Sequence, residues 1–249
     1  MSYLKKDLII SLLILFIGSF NLIHGFLNII IGIIMFYFLF RYIIQILSLD
    51  ITDISHHKYF ISRYNLFLLL HGFIFLLFLI YIDFDYFAVA GDWERYHLVG
   101  RAFADYLAGE SVGNLIQTGS AVTGQGYMVL LGIIYYFFDY SVHLAVILNV
   151  FCMVSCSIIL YQIVLPLWGN TIAKKSMYIA SFFPLFITWE INLWKECILT
   201  FCFLSLCLAC IKIVKKWDFK NFIIIMIFSF FVYNLRFWWL IPILIYFPL

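Results

Sequence analysis

The chain has 249 residues and a formal net charge of +2; 66% of its residues are hydrophobic and 11% charged, and its mean hydropathy is +1.08. Soluble domains are about half apolar and about a quarter charged, so these values exclude a water-soluble globular fold. The near-neutral balance also offers no basic surface of the kind nucleic acid demands.

A bilayer crossing takes about 20 apolar residues, and the chain holds several such runs. Spans are expected near 8–23, 27–47, 66–82, 143–165, 173–189, 197–214 and 222–235. The first two are separated only by His24 and Gly25, which predicts a tight helical hairpin. The first run leads directly into the second with no small-residue cleavage site, so a cleavable signal peptide is not expected. The fold class that follows is all-α, a polytopic transmembrane bundle forming one membrane domain over residues 1–249.

Basic residues give the orientation. Lys5 and Lys6 precede the first span, Arg41, Lys58 and Arg63 surround the loop after the second, and Lys174 and Lys175 precede the fifth. Lys212, Lys215, Lys216 and Lys220 follow the sixth. Because lysine and arginine in short loops mark the cytoplasmic side, the N-terminus is expected inside, in a plasma (inner) membrane, with the loop 83–125 outside. The segment 126–140 (YMVLLGIIYYFF after its glycine) is short for a crossing. If it crossed, eight of the fifteen basic residues would lie outside; if it is re-entrant or interfacial, eleven lie inside. The second arrangement is therefore expected. It gathers Asp92, Glu190, Lys195, Glu196 and Arg236 on one external face, with nine of the thirteen acidic residues.

Within the loop, Trp93, Tyr96, Gly100, Phe103 and Leu107 recur at helical spacing, while Glu94, Arg101 and Asp105 mark another face. This predicts an amphipathic helix on the membrane surface. Asp92 follows Gly91 and opens the periodic run, so its plain role is an N-cap; Arg101 and Asp105, four apart, read as a surface ion pair. A cap alone does not account for Glu94, Arg95 and His97 gathering beside it, and ionisable clusters at a cleft mark sites. Further along, Pro184 to Glu196 (PLFITWEINLWKE) ends one span and starts the next. Glu190 and Lys195 could snorkel between the belt residues Trp189 and Trp194. A lysine opening a helix opposes the helix dipole, however, and makes better sense if it holds an anion. Arg236, beside Asn234 and Phe237-Trp238-Trp239, offers a second phosphate partner at the same level. The six cysteines all fall in predicted spans and read as small apolar packing groups.

These residues resemble the GT-C glycosyltransferases, multi-pass enzymes that use polyprenyl-phosphate-linked sugars. The likeness runs from about Asp83 to Arg236. It rests on Asp92 early in the first large external loop, a Tyr96-His97 pair, an amphipathic surface helix, and a Gly124-x-Gly126-Tyr127 entry to a short apolar segment. An Asn149-bearing span and a Phe183-Pro184…Trp194-Lys195-Glu196 turn complete it. Two spans ahead of the loop-bearing one, and an end at Leu249 inside an apolar run, depart from the pattern and suggest a fragment or a shortened member. The resemblance implies Asp92 as catalytic base, with Glu94 beside it. Arg95, His97, Glu190, Lys195 and Arg236 would bind substrate or phosphate. The implied partners are a polyprenyl-phosphate sugar donor, a glycan or lipid acceptor of the cell envelope, and membrane lipid. Asp92-x-Glu94 also allows a bridging divalent metal ion, on a weak pattern.

The rivals are a transporter or flippase and a non-catalytic subunit of polysaccharide assembly. A transporter calls for charges or broken helices near mid-membrane. The spans show only His71 and Asn149 as polar groups at depth, with no ionised pair, which ranks that reading second.

Overall fold

The computed structural model describes residues 26–48, 54–81, 92–110, 125–138, 140–191 and 193–241. The first expected span and its hairpin turn lie outside them. Every described element is helical: α1 (Phe26–Ser48), α2 (Ile54–Tyr81), α3 (Asp92–Leu107), α4 (Gln125–Phe138), α5 (Val142–Phe182), α6 (Pro184–Glu190), α7 (Glu196–Lys215), α8 (Phe219–Arg236) and a 3-10 turn Phe237–Trp239. Five of these, α1, α2, α5, α7 and α8, are long and apolar enough to cross a membrane. The chain is a multi-pass membrane protein built as a helical bundle.

Helix α5 covers the expected span 143–165 and the first part of the expected span 173–189. Its 41 residues form one helical element with non-helical backbone at Gly169 (φ 78, ψ 173), three residues after Pro166. Proline removes an intrahelical bond and glycine alone adopts that φ without strain, so the pair turns the chain. The contacts with α2 show that the turn is a reversal. Phe60 packs edge-on against Tyr161, and Lys174 lies over Tyr59; Phe67 then meets Tyr178, and His71 meets Ser181. The first half of α5 therefore runs antiparallel to α2 and the second half parallel to it. The bundle core follows α5, whose first half is buried almost throughout, between α1, α2 and α7. The cysteines are free and, except for half-buried Cys207, buried as packing groups.

Two further boundaries differ from the sequence expectation. Helix α2 begins at Ile54, not near 66, because a polar first stretch with Lys58 and Arg63 lowers hydropathy without stopping a helix. The expected span 173–189 breaks at Phe183, whose extended backbone (φ −67, ψ 122) precedes Pro184 at the start of the seven-residue α6. Residues before proline are driven from the helical region, so the break is local chemistry.

Lysines mark one end of the bundle. Lys174 lies beside Tyr59, Gln162 donates to Ser48 Oγ at 2.7 Å, and Lys212 donates to the Leu47 carbonyl. At the opposite end Arg236 approaches Glu196 at 3.9 Å, and a Cβ on Gly126 would meet Asn234 Cβ at 2.9 Å. That contact seats the start of α4 against the end of α8.

Helix α3 lies on α4 with almost no space between them. A Cβ on Gly132 would fall 2.6 Å from Phe103 Cδ1 and 2.9 Å from the Gly100 carbonyl oxygen; one on Gly100 would fall 2.9 Å from Leu131 Cβ. The expected Arg101–Asp105 pair is replaced by convergence on Tyr140: the Arg101 guanidinium lies 4.9 Å from its ring centroid, and Asp105 accepts its hydroxyl. Since a backbone oxygen blocks the space at Gly132, Gly132→Ala should lower stability by about 1–3 kcal/mol by forcing the helices apart. Thermal denaturation in detergent measures this, and a melting curve matching the parent would show that the crossing is looser than described.

Candidate functional site

The residues around the interrupted passage from α5 to α7 form the most polar buried region. After Phe183 the chain makes the short helix α6, turns at Ile191, and restarts as α7 at Glu196. Among these residues Glu190 is 0% exposed and Lys195 2%. Glu190 was expected at an open phosphate-binding face; the structure instead buries it beneath α2. Nδ1 of His71 lies 2.7 and 2.8 Å from the two Glu190 carboxylate oxygens, and Nε2 lies 3.0 Å from Ser181 Oγ. His71 is itself 1% exposed and falls inside the candidate span Tyr59–Leu77. His71, expected as an isolated polar group at depth, thus has a buried carboxyl as its partner. Burial pushes the Glu190 carboxyl up from the usual carboxylate range, and His71 pulls in the opposite direction by hydrogen bond and charge. The pair ties the end of α6 to α2, and His71 Nε2 reaches Ser181 at the end of α5 as well.

Lys195 lies immediately before α7, with its Nζ 5.4 Å from the centroid of the Tyr96 ring. A cation over an aromatic face is attracted by the ring quadrupole. Tyr96 comes from α3, is buried, and packs edge-on against Tyr127 of α4 at 5.2 Å. The surface helix is thereby joined to the buried lysine. From the other side, Asn149 of α5 donates to the Trp194 carbonyl at 3.2 Å and braces the restart of the helix. Arg236, at the end of α8, stands 3.9 Å from Glu196 in the first turn of α7. An acidic residue there suits the positive end of the helix dipole. Arg236 thus meets Glu196, Lys195 meets Tyr96, and Glu190 faces His71.

Helix α3 begins at Asp92 as expected; the Asp92 side chain lies outside the described residues. Glu94 and Arg95 are exposed. Among the described residues no group of three His, Cys, Asp or Glu side chains is placed to hold a metal. His97 is half-buried toward α4, with Nδ1 3.0 Å from the Tyr135 hydroxyl. Burial first, and the Arg101 charge second, hold His97 below the ordinary histidine value of 6.5. A neutral imidazole accepts the tyrosine hydroxyl at Nδ1.

Below Lys195 and Arg236 an apolar groove of about 420 Å³ runs between α1, α4, α5, α7 and α8. Ile198, one turn into α7, and Phe231, five residues before Arg236, line it together with Leu130 and Phe137 of α4. A comparison with protein-family models, with curated proteins and with solved structures finds no match.

His71, Tyr96, Tyr127 and Ser181 were not among the expected site residues. The signal for His71 was present: an ionisable side chain inside an apolar span is costly and seeks a partner. Tyr96 and Tyr127 entered as parts of the resemblance, with no role at the site, in a chain that is 21% aromatic.

Two outcomes follow. Removing one member of a buried pair strands the other, so His71→Leu should cost about 3–5 kcal/mol, while His71→Leu with Glu190→Leu should recover most of it. A double variant no more stable than the single one in detergent melts would refute the pairing. For His97 the depressed pKa means that its contribution is present above 6.5 and is lost as pH falls below that value, because the unfolded chain then takes up the proton more readily. The melting temperature should therefore fall between about pH 6.5 and pH 5, and His97→Asn should flatten that part of the pH profile.

Proposed function

We propose that the chain is a membrane transferase of the GT-C kind, moving a sugar from a polyprenyl-phosphate donor to an envelope glycan or lipid acceptor. The carrying observation is the position of Lys195. A cation held in the bundle interior, it immediately precedes Glu196, which Arg236 approaches at 3.9 Å, and Ile198, which lines an apolar groove. Departure of a lipid phosphate calls for cations at the phosphate, and the prenyl chain calls for an apolar channel directly adjoining them. The groove's position one turn below Lys195 supports that pairing.

In this reading the lysine end faces the cytoplasm, by the charge rule, and Lys195 lies toward the external side. Asp92, the first residue of the helix that carries Tyr96 to Lys195, takes the proton from the acceptor hydroxyl as general base. Lys195 and Arg236 stabilise the departing phosphate, and Glu190 holds the loop instead of touching the donor. His97 keeps α3 in register on α4, and the exposed Glu94 and Arg95 face the acceptor side.

Asp92→Asn preserves shape and capping but removes the base, and should lower transfer by about 10²–10⁴-fold with normal protein levels. Lys195→Gln and Arg236→Gln should each weaken transfer from the donor. The measurement is incorporation of labelled sugar from a polyprenyl-phosphate donor by the full chain in vesicles. Unchanged incorporation in the Asp92 variant would remove the enzymatic role and favour a non-catalytic subunit of polysaccharide assembly.

A second reading is favoured by one observation, the contact of His71, inside a candidate span, with buried Glu190. Buried ionisable pairs beside a broken helix also occur in proton-coupled transporters. Proton uptake coupled to solute movement in vesicles, abolished by Glu190→Gln while sugar transfer is undetectable, would place transport ahead of transfer.

A further inference from the structure

The lysine end carries a second polar cluster, independent of the transferase reading. The reversal at Gly169 restarts a helix at Asn170, and the first four N–H groups of a restarted helix have no intrahelical partner. Beside this break Asn170, Thr171, Lys174, Lys175, Tyr178 and Ile179 line a cavity of about 470 Å³. Arg63 of α2 joins from the neighbouring helix. Its guanidinium lies 5.2 Å from the Tyr59 ring centroid and 6.0 Å from that of Tyr178, while Lys174 Nζ approaches the Tyr59 ring at 5.2 Å. The rings thus hold two cations on adjacent helices at one level. Among the described residues neither Arg63, Lys174 nor Lys175 has a carboxylate partner, and the buried Nε of Arg63 makes no hydrogen bond. Three cations gathered at one helix break are suited to a phosphate ester, which accepts several charge-assisted hydrogen bonds at once.

The surroundings decide the source of that phosphate. Leu167, Trp168, Ile172 and Ile179 are all exposed around the break. Tryptophan concentrates at the headgroup level of a bilayer, and exposed isoleucines there meet acyl chains. Basic pockets between membrane helices recognise anionic lipid headgroups. We propose that Arg63, Lys174 and Lys175 bind the phosphate of an anionic phospholipid, between α2 and the second half of α5.

The test uses the full chain in micelles containing equal amounts of phosphatidylglycerol and phosphatidylcholine, with retained lipid read by native mass spectrometry. Phosphatidylglycerol should be retained preferentially, and Lys174→Gln with Lys175→Gln should cut that retention by about tenfold. Lys215→Gln with Lys216→Gln, the same charge change on exposed residues elsewhere at this end, should leave retention unchanged. Monodisperse elution of each variant establishes folding. If the Lys174/Lys175 double variant does not fold, Lys175→Gln alone, at an exposed position, should reduce retention several-fold. Equal retention of the two lipids, or equal loss in both lysine pairs, overturns the proposal in favour of a diffuse surface field. Displacement of the lipid by millimolar inorganic phosphate overturns the lipid assignment and leaves a site for the free anion.

Discussion

The hydrogen bonds between His71 and Glu190 hold together an end of the bundle that the bilayer would otherwise penalise. Inside a membrane each interrupted helix leaves backbone groups without water, so a break is tolerated only where protein or a lined cavity receives it. The chain breaks at Phe183, again after Glu190, and restarts at Glu196. His71 reaches both sides of the first break, Ser181 before it and Glu190 after it. With those three side chains locked, Trp194 comes to rest where Asn149 donates to its carbonyl, and Lys195 is delivered to the Tyr96 ring. The order of causes runs from proline chemistry at 184, to a buried acid–imidazole contact, to the position of one lysine.

A second constraint is steric. Helices α3 and α4 approach through Gly100 and Gly132, with Phe103 packed on the Gly132 backbone and Leu131 on that of Gly100. Close approach lets Tyr96 pass over the start of α4 and reach the bundle interior, while Arg101 and Asp105 grip Tyr140 beyond its end. The amphipathic helix is thus pinned at both ends and cannot slide along the surface. Glu94 and Arg95 stay outward, and Tyr96 carries the helix into the bundle interior.

The architecture was readable in the sequence because hydropathy alone decides which segments leave water. Spans around 27–47, 197–214 and 222–235 fall within or near α1, α7 and α8, and the amphipathic spacing from Asp92 to Leu107 coincides with α3. The errors share a physical origin. Composition reports how apolar a segment is on average, so it located the span 173–189 but missed the break at Phe183, where a single proline outweighs the average. Glu190 was expected at an open phosphate-binding face, since its neighbours Trp189 and Trp194 suit the membrane interface. Its burial depends on a partner 119 residues away, and no local pattern carries that information. Lys195 was singled out by the helix-dipole argument, which is local; its ring partner Tyr96 was not, since that contact spans two elements.

The reversal at Gly169 bears on how the chain enters a membrane. The turn from Pro166 to Gly169 is four residues long, between an apolar helix and one that opens with Asn170, Thr171, Lys174 and Lys175. So short a connection keeps the second half close to the first from the moment the turn forms. The two halves are therefore obliged to insert as a single hairpin, with Lys174 and Lys175 close behind the turn holding it at the face where it begins. Assembly of this bundle is a matter of inserting paired helices together, and the stretch from Val142 to Phe182 is its unit of biogenesis.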